Sequence, residues 1–289
     1  YDEVRFDFND QFLADGDQTG TASFKEWSPQ AGLLWKIHDA VNFYTKISTS
    51  FETPATREFA APLGPGGLNT DLQAQTSINY ELGWKGTVNE VTSYQFSFFR
   101  IDTKDEVLPA GENLGGSTFF SNVGETARRG VEASLTFKPV RALEISLNYT
   151  YSDFHFTNLE VSGQSFAGEK IPGIPKHLSF AEVAWYAPTG FYSILDIQYV
   201  DSVFVNNAYV DAFGELITQG ESTDDYVLAN LRFGYTGLTR SGIEITPFVG
   251  LNNLFDQQYT GNVRVNEARH RYFEPAPEFN LFAGLSMVY

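Results

Sequence analysis

The feature that most constrains this chain is alternation on two scales. Along short segments, apolar side chains recur at every second position. Leu143, Ile145, Leu147, Tyr149 and Tyr151 alternate with Glu144, Ser146, Asn148, Thr150 and Ser152. Val131, Ala133, Leu135 and Phe137 alternate with Glu132, Ser134, Thr136 and Lys138, and Ile78, Tyr80, Leu82 and Trp84 with Asn79, Glu81, Gly83 and Lys85. This is the period of a strand with one apolar and one polar face, and three-and-four helical spacing is almost missing. On the longer scale, tight turns alternate with long polar connections. The turns fall at residues 38–40, 89–90, 139–142, 187–190 and 236–242, and the long connections at 9–23, 52–75, 103–120, 155–177, 201–223 and 257–278. The expected strands, about twelve in number, lie near 1–8, 24–37, 41–51, 76–88, 91–102, 119–138, 142–154, 177–187, 190–200, 224–235, 243–256 and 279–289.

A soluble sandwich does not put its long loops at one end and its tight turns at the other, whereas an outer-membrane barrel does. The bilayer gives the reason, because every backbone N–H and C=O in hydrocarbon must be paired and a closed sheet pairs them all. Aromatic residues gather towards strand ends at Trp35, Tyr44, Trp84, Trp185, Tyr186, Tyr199 and Tyr235, as interfacial girdles require. Glu182 interrupts the apolar alternation of its strand, and a bulge or a segment lying outside the hydrocarbon is the expected cause. The fold expected is all-β, an antiparallel transmembrane barrel in the bacterial outer membrane, with residues 1–289 forming one unit.

Composition removes other classes. The net charge of −17, from 19 Lys and Arg against 36 Asp and Glu, is opposite to what nucleic-acid phosphates require. Most of that charge falls in the long connections. The absence of Cys removes disulfides, zinc–thiolate sites and cysteine nucleophiles. The four His residues (His38, His155, His177 and His270) are scattered, so neither a metal site nor a cofactor is expected. Tyr1 to Phe6 has no basic or apolar leader pattern and already reads as strand, which fits a mature start or a piece of something longer.

Several stretches resemble the second half of the barrel of TonB-dependent outer-membrane receptors, in the expected order. Ser28 to Trp35 is similar to the family's SPxxGLxY strand, and Ser48 to Pro54 to its SxSFxxP. Ser77 to Lys85 resembles SxNYELGxK, and Phe99 to Asp105 resembles FRxDxKD. Asn122 to Glu132 resembles NxGxxxxxGVE. Tyr149 to Ser152 and Ile171 to His177 follow, and then Asn252 to Tyr259 resembles NNLFDxxY. Tyr289, with apolar residues at alternate positions before it, resembles an outer-membrane assembly signal. The resemblance implies about twelve strands of a 22-stranded barrel, with the plug domain and the N-terminal strands absent from this chain. It also implies energy-coupled uptake of a scarce nutrient, foremost a ferric siderophore, with coupling to TonB through an N-terminal segment.

Under that resemblance the long connections face outward. One of them gathers Arg264, Arg269, His270 and Arg271 beside Tyr272 and Phe273, and Arg57 lies on another. Guanidinium groups bind carboxylate or phosphate and aromatic faces stack on aryl rings, so Arg57, Arg264, Arg269, His270, Arg271 and Tyr272 are the candidate ligand contacts. The alternative for these arginines is contact with lipopolysaccharide, or pairing with Glu267, Glu274 and Glu278. No catalytic residues are expected. The competing reading is a self-contained twelve-stranded barrel, either a phospholipase using His177 and Ser152 or a passive porin. Closure separates the two readings, because those barrels close on themselves and a receptor fragment leaves two free edges.

Overall fold

The computed structural model describes residues 1–11, 17–38, 40–59, 61, 67–112, 118–210, 214–240, 242–267 and 271–288. Strands β1 (Asp2–Phe8) and β2 (Gly20–Glu26) pair as a separate ribbon. Then come β3 (Gln30–His38), β4 (Val41–Glu52), β5 (Gln75–Val88), β6 (Thr92–Glu112), β7 (Thr118–Val140) and β8 (Leu143–Val161). The short β9 (Gln164–Ser165) folds back on β8 before β10 (His177–Tyr186) and β11 (Phe191–Val200). A loop ribbon of β12 (Tyr209–Val210) and β13 (Leu216–Ile217) precedes β14 (Tyr226–Tyr235), β15 (Leu238–Arg240) and β16 (Ile243–Asn252). A second loop ribbon, β17 (Thr260–Val263) and β18 (Phe273–Pro275), leads to β19 (Asn280–Val288). The main sheet is an antiparallel meander running β3-β4-β5-β6-β7-β8-β10-β11-β14-β16-β19, with β15 continuing the β14 side of β16. Among the described residues β3 and β19 do not pair with each other, so the sheet has two free edges.

Cross-strand register sorts the side chains onto two faces. Leu33, Thr45, Leu82, Phe98, Val131 and Tyr151 form one continuous row across β3 to β8. The same face carries Trp35, Leu195, Leu281 and Met287, all exposed, with Leu33 at 65% and Leu281 at 64%. So large an exposed apolar face has no place in water and marks the surface that meets lipid. On β8 this face is apolar from Leu143 to Tyr151, about 27 Å along the strand. At the ~40° tilt of such barrels that is roughly 21 Å of membrane depth, close to the usual apolar band.

The opposite face is polar and internally bonded. The Tyr44 hydroxyl donates to Glu81 Oε1 at 2.7 Å, Asn230 Nδ2 donates to Asp196 at 2.7 Å, and Lys138 pairs with Glu144 at 3.0 Å. Aromatics on this face cover glycines directly across the ladder. Phe99 lies over Gly130, and Phe282 and Phe248 lie over Gly250 and Gly284 on the paired strands β16 and β19. A ring can lie flat against the backbone only where its partner has no Cβ.

Four expectations are corrected here. The single strand at 24–37 breaks at residues 27–29, where Pro29 has no N–H for the ladder, although its carbonyl still accepts from Thr49 N at 3.0 Å. The connections expected from 103 and 155 begin as ladder, since β6 reaches Glu112 and β8 reaches Val161. Beyond the lipid the outward face is wet or covered by loops, so alternation fades while backbone pairing persists. No bulge occurs at Glu182, which pairs in register with Ser146 and Asp196 on the inner face. Tyr44 and Tyr186 also belong to the inner face and not to a lipid girdle, Tyr44 through Glu81 and Tyr186 opposite Tyr192.

Candidate functional site

The tight connections lie at one end of the meander, and the loops carrying the candidate ligand contacts lie at the other. There the connections β8–β10, β11–β14 and β16–β19 lock together through amide and carboxylate groups. Asn266 Nδ2 meets Asn207 Oδ1 at 2.6 Å, Asn207 N donates to Asn266 Oδ1 at 3.0 Å, and Asn266 N donates to the Val205 carbonyl at 3.0 Å. Glu169 accepts from Ala208 N at 3.0 Å, while Gln219 Nε2 donates to the Lys170 and Asn206 carbonyls. Gly173 N donates to the Phe204 carbonyl at 2.8 Å. Asn206, Asn207 and Val205 are buried, so the three loops form a packed cap. These residues escaped the sequence reading because each partner lies tens of positions away and no local pattern marks it.

The β17–β18 hairpin follows from this cap, and Arg264 and Arg271 of the expected cationic cluster lie between its strands. Arg264 pairs with Glu274, which also accepts from Asn262 Nδ2 at 2.9 Å. The hydrogen bond from Asn262, and then the bond and charge of Arg264, hold the Glu274 carboxyl below its ordinary value. Arg271 pairs with Glu267 at 2.8 Å. The two arginines therefore already hold two of the three glutamates that the alternative reading named, Glu274 and Glu267. Tyr272 is fully buried, its hydroxyl 3.4 Å from that of Tyr209, and burial pushes its ionisation well above the ordinary tyrosine value. Its ring packs inside the cap and is not presented for stacking. Arg57 sits in a 3-10 turn (Thr56–Phe59), 6.0 Å above the Phe120 ring and away from the hairpin. Arg269 and His270 lie outside the described residues.

Around that turn, Phe59 is buried against Phe6, Phe8 and Phe24 of the β1–β2 ribbon, with ring centroids 5.2–6.2 Å apart. This aromatic cluster fixes the β4–β5 loop to the first ribbon. Asn252 to Tyr259 forms the corner between β16 and the last loop. Asn253 is buried with φ of 52°, and its side chain bonds Gln257 N at 2.8 Å and the Gln257 carbonyl at 2.9 Å. Asp256 accepts from Phe279 N at 2.8 Å, and Tyr259 lies 4.6 Å from Tyr226. Asn253 thus closes the corner on itself, while Asp256 and Tyr259 tie it to the start of β19 and to β14.

Ser152 and His177 do not come together. Ser152 pairs with Gly130 on the inner face, whereas His177 pairs with Tyr151 on the lipid face and meets the Tyr149 hydroxyl at 2.8 Å through Nδ1. A nucleophile and its base must share a face to exchange a proton. Among the described residues no group of three His, Asp or Glu is placed to hold a metal ion.

The family model described as TonB dependent receptor-like, beta-barrel, matches residues 1–254. The iron-regulated outer membrane virulence protein of Vibrio cholerae is 27% identical over 281 aligned positions, which cover 91% of this chain and 39% of that protein. The pesticin receptor of Yersinia enterocolitica is 29% identical over 246 positions, covering 84% of this chain and 33% of the receptor. Among solved structures, the siderophore receptor PiuA from Acinetobacter baumannii superimposes with a TM-score of 0.73 at 18% identity. That match covers 96% of this chain and 38% of PiuA, so the chain spans well under half the length of the proteins it resembles.

Proposed function

The chain belongs to the TonB-dependent receptor-like β-barrel family of the bacterial outer membrane, and on that footing we propose that it forms the C-terminal barrel portion of a nutrient-uptake receptor. Its cargo is a ferric siderophore or a similar anionic chelate. The observation that carries this reading is the open meander itself. A sheet with a lipid-facing apolar belt and a polar inner face leaves two edges to be paired, and its inner face to be covered by a plug. A closed porin or lipase of this length leaves neither.

The cap loops face the cell exterior and the tight turns face the periplasm, as in other outer-membrane barrels. Arg57, Arg264, Arg269, His270 and Arg271 are the proposed ligand contacts, with Tyr272 buried in the cap behind them. For Arg264 and Arg271 the ligand carboxylate or catecholate replaces Glu274 and Glu267 in exposed pairs, an exchange that costs little because such pairs are each worth about 0–1 kcal/mol. Coupling to TonB runs through an N-terminal segment and plug outside this chain. Outer-membrane lipid and lipopolysaccharide surround the belt.

The test is uptake of radioactive iron chelates by iron-starved cells producing the whole receptor. Accumulation that stops when the proton gradient is collapsed supports energised transport. Accumulation that persists unchanged refutes it in favour of passive conduction. Substituting Arg264→Gln and Arg271→Gln together then tests the loop contacts, and unchanged chelate affinity removes them.

A further inference from the structure

The lipid-facing surface changes character at one row of the ladder. Phe98, Val131 and Tyr151 end the apolar belt, and the next outward row reads Ala31, Ile47, Tyr80, Arg100, Arg129 and Asp153. Arg100 and Arg129 are direct cross-strand partners on the same face, with side chains starting about 5 Å apart. Like charges in that position repel, and the carboxylates beside them on the same face, Asp102 and Asp153, offset them only in part. Asp102 takes the Nε of Arg100 at 2.9 Å, and Asp153 gives its carboxylate to Lys170 at 2.9 Å. Among the described residues Arg129 makes no ion pair, and the Nη groups of Arg100 make no hydrogen bond. Both arginines are exposed, as are Lys104 and Lys176 beyond them, so this rim is cationic on a chain of net charge −17.

Directly below Arg100 the apolar face is concave. A depression of about 650 Å³ lies between Leu33, Ile47, Leu82 and Phe98, and its floor is lowered by the small side chains of Ala31 and Thr45. Tyr80 and Arg100 close its upper end. An apolar groove in the hydrocarbon layer that ends under two guanidinium groups has the polarity of one amphiphile seen in outline. Guanidinium forks match phosphate oxygens, and at the interface depth a cation costs far less than at the midplane.

We propose that this face holds one phosphorylated glycolipid of the outer leaflet, the lipid A part of lipopolysaccharide. One acyl chain lies in the groove and one phosphate bridges Arg100 and Arg129. A free anion would use the arginines but gain nothing from the groove, and a neutral lipid would do the reverse. The site is separate from the loops that take the nutrient. It rests only on the outward orientation proposed above.

The experiment is native mass spectrometry of the receptor extracted from outer membranes in mild detergent. The probes are bisphosphoryl lipid A, its dephosphorylated form and phosphatidylglycerol. One bisphosphoryl lipid A per protein is expected to survive detergent removal, with the dephosphorylated form bound at least tenfold more weakly. The double substitution Arg100→Gln with Arg129→Gln should cost at least tenfold in affinity. Thr45→Trp, which fills the groove and leaves both arginines, should also weaken binding. Arg141→Gln, which removes one positive charge from the tight turn at the opposite rim as Arg129→Gln does here, should have no effect. Folding is verified by the shift in gel migration on boiling, and if the double variant does not fold, Arg129→Gln alone carries the test. Equal binding of the dephosphorylated lipid, or unchanged binding by the arginine variants, overturns the proposal. A preference for phosphatidylglycerol, or a loss caused by Arg141→Gln, points instead to an inverted orientation and overturns the outer-leaflet assignment while leaving the uptake reading untouched.

Discussion

Asn253 offers the sharpest test of how the last loop is held. Its side chain donates to the Gln257 carbonyl at 2.9 Å and accepts from Gln257 N at 2.8 Å, inside a corner where the residue itself is only 3% exposed. Each bond contributes about 1 kcal/mol net. The φ of 52° adds a second cost on substitution, because the left-handed region that asparagine tolerates costs alanine about 1 kcal/mol. Asn253→Ala should therefore weaken the corner by about 3 kcal/mol, which raises its open population roughly a hundredfold. Asn253→Gly loses the bonds but keeps the backbone conformation, so it should cost about 2 kcal/mol and a correspondingly smaller factor. The assay is cleavage within residues 253–279 by a protease added to intact cells, in the regime where cutting is slow and its rate follows the open population. An unchanged rate for the alanine variant, or a glycine variant that opens as far as the alanine variant, would refute the reasoning. Cleavage seen only after the outer membrane is permeabilised would refute the outward placement of the loop.

Three further outcomes follow from the packing and electrostatics. Gly284→Ala places a methyl against the Phe248 ring alone, so it should destabilise the barrel by about 1–3 kcal/mol, read as a smaller folded, heat-modifiable fraction in urea, and be relieved by Phe248→Leu. Gly130→Ala should resist the parallel rescue by Phe99→Leu, because the added methyl also lies 2.5 Å from the Tyr151 carbonyl oxygen. Glu274 is held below its ordinary carboxyl value by Asn262 and Arg264, so its stabilisation of the β17–β18 hairpin is fully present above about pH 4.5. That stabilisation is lost as pH falls through the lowered value; spin labels at residues 260 and 276 should report a broadening distance only in that acid range, earlier in Asn262→Ala. Asn207→Ala and Asn266→Ala should show a coupling of about 1 kcal/mol in a double-mutant cycle read by loop proteolysis, since the pair is one link of the cap. Additive effects would mean that the two loops are held independently.

Much of the transmembrane fold was legible because the membrane writes it into the sequence. A strand facing lipid on one side and a wet interior on the other must alternate, so Leu143 to Ser152 announces both its period and its faces. The motif at Asn252 to Tyr259 was equally visible, and the structure supplies its reason in the corner bonds of Asn253 and Asp256. Legibility stopped where lipid stops. The upper parts of β6, β7 and β8 lose the alternation yet keep their ladder, and the break at Pro29 divides a strand whose pattern runs straight through it. Glu182 was misread for a related cause. Its neighbours Phe180 and Ala184 are inward apolar residues in a polar wall, which a rule based on alternation alone takes for a fault.

The candidate site divides in the same way. Composition placed arginines and aromatics together on one loop, since residues eight apart cannot be far separated. It could not say that Glu274 and Glu267 already hold two of them or that Tyr272 turns inward, because those outcomes depend on the partners that folding brings near. The sequence by itself determined that this chain is an antiparallel meander with a lipid face and loops gathered at one end, because period and turn length are local quantities. Only the tertiary structure decided the open edges at β3 and β19, the cap joining three distant loops, and the row that sets Arg100 beside Arg129. Each of those depends on register between separate segments, where a shift of one residue would turn every side chain to the other face.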